Sequence, residues 1–351
     1  MKALFDVKHP AQARFFEPVV HALTRRGSEV LVTARDKDET LAVLDGLGVP
    51  HVCLSRMREG YLAMGAELAG RTLQMLRLAR QFGPDVLVAR TGISAGAVGR
   101  LLRVPSVIFD DTEFAWLQRR LSVPLATVVC TGMGYGARFP GKQLTFNAPP
   151  HLMYTHPSRF HPDRDRLGRH GLDPEEPYFV LRVKAWRALH DSGVRGPSDE
   201  DLTLLVESLV QHGRPVISSE RSLPAALRQY VNPLPVKDML HLLAFARLCV
   251  GEGSCTVAEA ACLGTPAVFL SPRSRRGYLD ALERDYGLAR TVRTPGEALE
   301  CARRWLEDPG LQRRAAAARE RLLRDCADPL AFALHVITRY GREGEEREWP
   351  S

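Results

Sequence analysis

Leu248-Cys249-Val250-Gly251-Glu252-Gly253-Ser254-Cys255-Thr256-Val257-Ala258-Glu259-Ala260-Ala261-Cys262-Leu263-Gly264-Thr265-Pro266, followed by Ala267-Val268-Phe269-Leu270, reads as strand, glycine turn, helix and strand. The apolar runs at 247–250 and 267–270 suit two buried strands, with a helix over 256–263 between them. Gly264 sits where a helix end needs positive φ. Two parallel strands joined by a helix form a right-handed crossover, and ligands bind beyond the carboxyl ends of such strands. The glycines let a backbone approach a ligand closely, and Ser254 and Thr256 are candidate caps. The N–H groups of Gly253, Ser254, Cys255 and Thr256 would face an anion, and Glu259, read onto the first helical turn, would accept two vicinal hydroxyls. A diphosphate plus ribose fits this layout. The glycines do not form G-x-G-x-x-G, which disfavours bound NAD, and an ordinary βαβ turn is the plain alternative.

The same alternation extends in both directions. In the first half, strands are expected at 2–7, 29–33, 51–54, 85–89, 105–109 and 127–130, with helices at 11–26, 38–47, 61–82, 94–102 and 114–121. Gly27, Gly48 and Gly83 mark helix ends. Residues 132–173, rich in Gly, Pro and His, read as an interdomain connection with one short strand at 143–146. Beyond it, strands are expected at 178–183 and 215–219, ahead of the pair quoted above, with helices at 199–212, 223–230, 236–246 and 276–286. A helical end follows at 296–307, 311–325 and 330–340, then a polar, frayed tail. The expectation is an α/β chain of two doubly wound, Rossmann-like domains facing a cleft, over 1–150 and 151–329.

Composition narrows the classes. The chain has 351 residues, 45% of them hydrophobic and 25% charged, which excludes a disordered chain or a small disulfide scaffold. No run approaches the roughly 18 apolar residues that span a bilayer, and Asp6 interrupts the start too early for a signal peptide. Seven cysteines without a C-x-x-C pair suit reduced thiols in a cytoplasmic protein and no zinc site. The net charge is +7, carried by 42 Arg and 6 Lys, and residues 1–150 hold +6 of it. That asymmetry suits an anionic acceptor or peripheral contact with an acidic membrane, with a scattered solvated surface as the plain alternative. It is not read as nucleic-acid binding.

Three further groups carry chemistry. His9 follows the first strand, where an imidazole would serve as a general base or simply cap the loop. Asp110, Asp111, Thr112 and Glu113 follow the strand at 105–109. Three carboxylates desolvated together would raise at least one pKa and furnish an acid or base, while helix capping is the structural alternative. At the second-domain entrance, Arg182 and Lys184 would neutralise phosphate, Trp186 would pack on a base or sugar, and His190 would donate to a phosphate or hydroxyl. Ser218-Ser219-Glu220 and Arg273 end later strands on the same edge.

These residues together resemble a prokaryotic family of unknown function, number three hundred and fifty-four. The resemblance rests on Asp6-x-x-His9-Pro10, Phe15-Phe16-x-Pro18, Val32-Thr33-Ala34-Arg35-Asp36, the carboxylate run at Asp110, Arg182 with Ala185-Trp186 and His190-Asp191, Ser218-Ser219-Glu220, and Thr256 through Pro266. It implies a GT-B fold with a nucleotide-sugar held mainly by the second domain. It also implies a C-terminal helix, within residues 330–351, that crosses back to the first domain. Non-hydrolysing UDP-GlcNAc 2-epimerases share that fold, and their donor loop is similar to Ser254, Glu259, Gly264 and Pro266. The sequence departs from them at Arg182-Val183-Lys184-Ala185-Trp186, where they carry a Gly-His-Arg-type segment. It departs from its own family at Ala148-Pro149-Pro150.

The first expectation is therefore a metal-independent, cofactor-free glycosyltransferase acting on a nucleotide diphosphate-sugar, UDP-linked, with a glycan or lipid-linked acceptor on the first domain. Gly253, Ser254, Cys255 and Thr256 would bind diphosphate and Glu259 the ribose. Arg182 or Arg273 would stabilise the leaving group, with Trp186, His190, Ser219 and Glu220 lining the donor. His9, Asp110, Asp111 or Glu113 would take the acceptor proton. The second is a UDP-sugar 2-epimerase using Glu113 and His190 on opposite sugar faces. The third is a non-catalytic nucleotide-sugar binding protein.

Overall fold

A computed structural model describes the chain except for residues 59, 114–115, 174, 186–195, 273–276 and 342–351. It divides into two compact units, Met1–Tyr154 together with the chain from Ala327 onward, and Thr155–Cys326.

The first unit alternates β1 (Lys2–Val7), α1 (Pro10–Arg25), β2 (Glu29–Asp36), α2 (Thr40–Gly46), β3 (Val52–Arg56), α3 (Tyr61–Phe82), β4 (Val86–Arg90), α4 (Ile93–Leu102), β5 (Ser106–Asp110), α5 (Trp116–Ser122), β6 (Val128–Thr131) and β7 (Gln143–Thr145). Its seven strands are parallel in the order β3-β2-β1-β4-β5-β6-β7. β4, β5 and β6 are buried along their whole length, as expected of parallel strands covered on both faces. α1 starts cleanly because Pro10 carries its fixed φ into the first turn, and Phe15, Phe16, Val19 and Leu23 form its buried stripe. Phe15, Phe16 and Phe109 pack edge to face, with centroids 5.2–6.0 Å apart. Gly27, Gly48 and Gly83 adopt φ of 79°, 64° and 64° at the helix ends where the sequence places them.

The connecting segment carries the short strand expected at 143–146. β7 within it adds a seventh strand to the first sheet, and α6 (Leu152–Thr155) marks the unit boundary.

The second unit holds α7 (Asp165–Arg169), β8 (Tyr178–Val183), α8 (Asp199–Leu209), β9 (Arg214–Ser219), α9 (Met239–Phe245), β10 (Leu248–Gly251), α10 (Ser254–Leu263), β11 (Ala267–Leu270), α11 (Gly277–Arg284), β12 (Ala289–Val292), α12 (Pro295–Leu306) and α13 (Leu311–Asp325). Its parallel order is β12-β11-β10-β8-β9. β12 was not expected, because Ala289-Arg290-Thr291-Val292 breaks its apolar run with Arg and Thr. The helix expected at 223–230 is a 3-10 turn over Ala225–Tyr230, ahead of α9. The final helix, α14 (Pro329–Gly341), belongs to the first unit, where it packs on α1, β4 and β5, with Phe332 5.0 Å from Phe146 between ring centroids.

Candidate functional site

Each sheet has one point at which strand order reverses, between β1 and β4 in the first unit and between β8 and β10 in the second. Loops leaving adjacent strands there part to opposite faces and open a crevice at the carboxyl ends.

In the first unit, β1 delivers Asp6, Lys8 and His9 to this edge. Asp6 is fully buried; its Oδ1 accepts from Thr33 Oγ1 at 3.1 Å and pairs with Arg71 of α3, which is 2% exposed. Arg35 makes a two-pronged pair with Glu67, which also accepts from Ser55 Oγ. The Lys8 ammonium donates to the Thr91 carbonyl at 2.7 Å. Burial pushes Lys8 down to about 8, the Arg71 and Arg35 charges add to this, and Asp6 opposes it. His9 is the N-cap of α1, with Nδ1 accepting from the Ala11 N–H at 3.2 Å and Nε2 lying 3.8 Å from Asp38. Both ring nitrogens thus have neighbours, Nδ1 in the expected cap and Nε2 toward the Asp38 carboxylate.

β5 ends in the carboxylates. Asp110, 4% exposed, accepts from the Thr112 N–H at 2.9 Å and the Tyr135 hydroxyl at 2.8 Å. Burial raises its pKa to about 6 against the pull of both donors; Asp111 adds to the rise and Arg119 opposes it. Asp111 pairs with Arg90, which lies over the Phe15 ring at 4.7 Å. Glu113 accepts from the Gly136 N–H. Three adjacent carboxylates therefore have three different environments. Sequence reading missed Tyr135, Arg90, Lys8 and Arg71, and only their placement at strand ends or on the covering helix brings them here.

In the second unit, the Arg182 guanidinium donates to Ser218 Oγ at 2.8 Å and pairs with Glu220. Glu220 also accepts from the Ala185 N–H at 3.2 Å, and Glu252 from the Lys184 N–H at 2.7 Å. Arg182 lies against the glycine turn; a Cβ at Gly251 would sit 3.1 Å from the Arg182 Cβ. The structure thus brings together Arg182, Glu220, Gly253 and the opening of α10. Ser219 does not join them, because its hydroxyl donates to the Arg221 carbonyl at 2.6 Å in a local turn. Ser218, one residue earlier, takes that place.

α10 begins two residues earlier than expected. Gly253 is its N-cap and no side chain caps it, so Ser254 and Thr256 are first-turn residues rather than caps. Glu259 falls in the second turn and is 5% exposed, which corrects its first-turn assignment. A recess at this edge is lined by Arg182, Val183, Leu202, Leu205, Val250 and Glu252, among others. Trp186, His190 and Arg273 lie outside the described residues.

The comparisons agree with this architecture. Residues 1–133 match the family model "Protein of unknown function (DUF354)". The DUF354 match covers most of the first unit, including β1, His9 and the carboxylates after β5. A UDP-N-acetylglucosamine–N-acetylmuramyl-(pentapeptide) pyrophosphoryl-undecaprenol N-acetylglucosamine transferase from Pseudomonas entomophila is 28% identical over 218 residues, 58% of this chain and 56% of the transferase. The match therefore spans little more than half the length of that relative. MurG from Acinetobacter baumannii superposes with a TM-score of 0.60 at 19% identity, over 97% of this chain and 100% of its own. UDP-GlcNAc 2-epimerase from Neisseria meningitidis, bound to UDP-GlcNAc, gives 0.65 at 14% identity, over 97% and 99%. These likenesses establish the fold: two Rossmann-like units of the GT-B class. Among the described residues no helix is long and apolar enough to cross a membrane, and no group of three or more His, Cys, Asp or Glu is placed to hold a metal ion.

Proposed function

We propose that the chain is a glycosyltransferase that moves a sugar from a nucleotide diphosphate, UDP-linked, to a hydroxyl of a glycan or lipid-linked acceptor. The observation that carries this reading is the opening of α10 at the second unit's switch point, which no side chain caps and which Arg182 lies against; in the first unit a proton acceptor, Asp110, ends β5, one strand beyond that unit's switch point. The second unit binds the donor diphosphate on the first-turn N–H groups of α10, and Arg182 meets the charge that grows on the leaving group. Asp110 takes the proton of the acceptor hydroxyl. The hydroxyl oxygen bonds to the anomeric carbon, the bond from that carbon to the diphosphate oxygen breaks, and the nucleoside diphosphate leaves with the electron pair. Asp110 suits this role better than His9, whose ring is occupied at Nδ1 by the α1 cap. An apparent pKa of about 6 keeps the carboxylate largely ionised at neutral pH while leaving it a useful proton affinity.

A thermal-shift panel of nucleotides and nucleotide sugars tests the donor assignment, because a ligand that binds only the folded chain raises its melting temperature. UDP and UDP-GlcNAc should raise it, and Glu259→Ala should abolish the UDP shift. If Glu259→Ala keeps the shift, Glu259 is not the ribose contact; if no nucleotide moves the melting point of the wild type, the donor site is wrong. Incubation with UDP-GlcNAc alone separates the readings: UDP release that depends on an acceptor supports transfer, and product formed without one supports a 2-epimerase.

A lipid-linked acceptor suits a surface feature of the first unit. Trp116 is 62% exposed, and Leu101, Leu117 and Leu121 are exposed beside Arg100, Arg103 and Arg120 at the end of α4 and along α5. Apolar side chains among cations match an anionic bilayer surface. The chain should sediment with vesicles containing anionic lipid, several-fold less with neutral vesicles, and Trp116→Ser with Leu117→Ser should abolish the difference. Absence of sedimentation with either vesicle type would remove the membrane from the reading, and equal sedimentation with both would remove the anionic lipid from it.

A further inference from the structure

Tyr135 lies 25 residues after Asp110, in the loop that follows β6. That loop is held independently of the carboxylate. The Met133 N–H donates to the Ala148 carbonyl at 3.0 Å, and Gly132 sits so close that a Cβ there would come within 2.9 Å of the same oxygen. The Gly136 N–H holds Glu113, and the Tyr135 ring tilts against Phe139 at 6.1 Å. Tyr135 therefore reaches Asp110 from a seat it would keep without its hydroxyl.

We propose that Tyr135 is the positioning residue of this centre, its hydroxyl holding the Asp110 carboxylate in the orientation and charge state in which it takes a proton. The part concerning Asp110's task rests on the transfer reading; the part concerning Tyr135 rests on geometry alone. Both carboxylate oxygens are engaged: the Thr112 N–H takes one through a local turn, and Tyr135 takes the other across the sheet edge. Thr112 is backbone and always present, so Tyr135 is the donor that a side-chain change removes.

Three charges face Asp110, those of Asp111 beside it, Arg119 on α5 and Lys8 beyond β1, and the Tyr135 hydroxyl faces it as a neutral titratable donor. The Arg119 charge also acts on the Tyr135 hydroxyl, opposing its rise. Burial and the Asp110 charge push the Tyr135 hydroxyl up, so it stays a donor at every working pH. Burial favours the neutral carboxyl, whereas the two donors and Arg119 favour the carboxylate. Removing one donor leaves burial less opposed, and the proton affinity of Asp110 must rise.

The test uses the full chain with 13C-labelled aspartate carboxyls, Asp110→Asn assigning the resonance. In Tyr135→Phe the Asp110 titration midpoint should climb by about one pH unit, the size expected for losing one hydrogen bond to a charged group. Unchanged circular dichroism shows that the fold persists, and Tyr135→Leu repeats the measurement with the ring removed. Where turnover is found, the acidic limb of kcat should move upward by the same interval, with KM for the donor unchanged. A midpoint that stays or falls overturns the proposal whatever the turnover screen shows. So does a shifted midpoint with an unmoved acidic limb. A shifted midpoint with no turnover on any nucleotide sugar upholds the Tyr135–Asp110 coupling and removes the transfer reading instead.

Discussion

Asp110→Asn should lower acceptor-dependent turnover by about 10²- to 10⁴-fold, the range that a positioned general base contributes. The amide keeps the shape of the carboxyl but cannot accept a proton at neutral pH. Donor binding, read by the UDP thermal shift, should survive, because the donor assignment lies wholly in the second unit. His9→Ala should cost far less, since its ring is the α1 cap and the loss is that of a cap, about 1 kcal/mol of stability. Wild-type activity should fall as pH drops through about 6, where Asp110 takes up its proton. The stability linkage has the opposite slope. The folded-state pKa lies above the ordinary 3.8, so the fold binds the proton more tightly than the unfolded chain does. This group's contribution to stability therefore declines as pH rises from about 4 through about 6 and is level above that. If Asp110→Asn keeps a tenth or more of the turnover, or His9→Ala is the more damaging change, His9 replaces Asp110 as the base.

Arg71→Met should destabilise the first unit by about 3–5 kcal/mol, the cost of leaving a buried charge without its partner. Asp6 is fully buried under the first switch point, and beyond Arg71 the side chain that holds it is Thr33. Its second oxygen already lacks a hydrogen-bond partner, so the pair has no surplus to absorb the loss. The urea midpoint should fall at constant m-value. Asp6→Asn combined with Arg71→Met should recover a large part of the loss, because both charges are then gone and the site is neutral. With Arg71 removed and Asp6 kept, the Lys8 ammonium loses a repulsive neighbour and retains an attractive one, so its pKa should rise from about 8. A loss under 1 kcal/mol, or a double variant no better than the single, would show that the pair is solvated.

Both predictions concern one edge of the first unit's sheet. The first unit puts a buried ion pair beneath the crevice edge and a protonatable carboxyl at it. The network Asp6–Arg71–Thr33 with Arg35–Glu67 underlies that edge, and the loop after β6 brings Tyr135 to it. A site on a fixed sheet edge with one long-range donor is tuned by that donor, which is why Tyr135→Phe is a sharper probe than a change at Thr112.

What the chain determines by itself is local. Apolar runs with period and length suited to buried strands, glycines at helix ends, and the Gly251–Pro266 stretch were enough for an alternating α/β chain with two sheets, since each depends on residues within one turn or one strand. The carboxylates after β5 and the glycine turn before α10 were legible for the same reason: a strand end is a position in sequence. Tertiary structure decided everything that depends on register or distance. Ser218 faces Arg182 and Ser219 does not, because the β8–β9 register sets Arg182 opposite Ser218 and strand side chains alternate. The pairs Asp110–Tyr135, Asp6–Arg71 and Lys8–Thr91 join residues 25, 65 and 83 positions apart, where periodicity carries no signal. Burial, which raises Asp110 and lowers Lys8, exists only once the sheets are covered, so the chemistry at the first edge is a property of the packed unit and its raw carboxylates a property of the sequence.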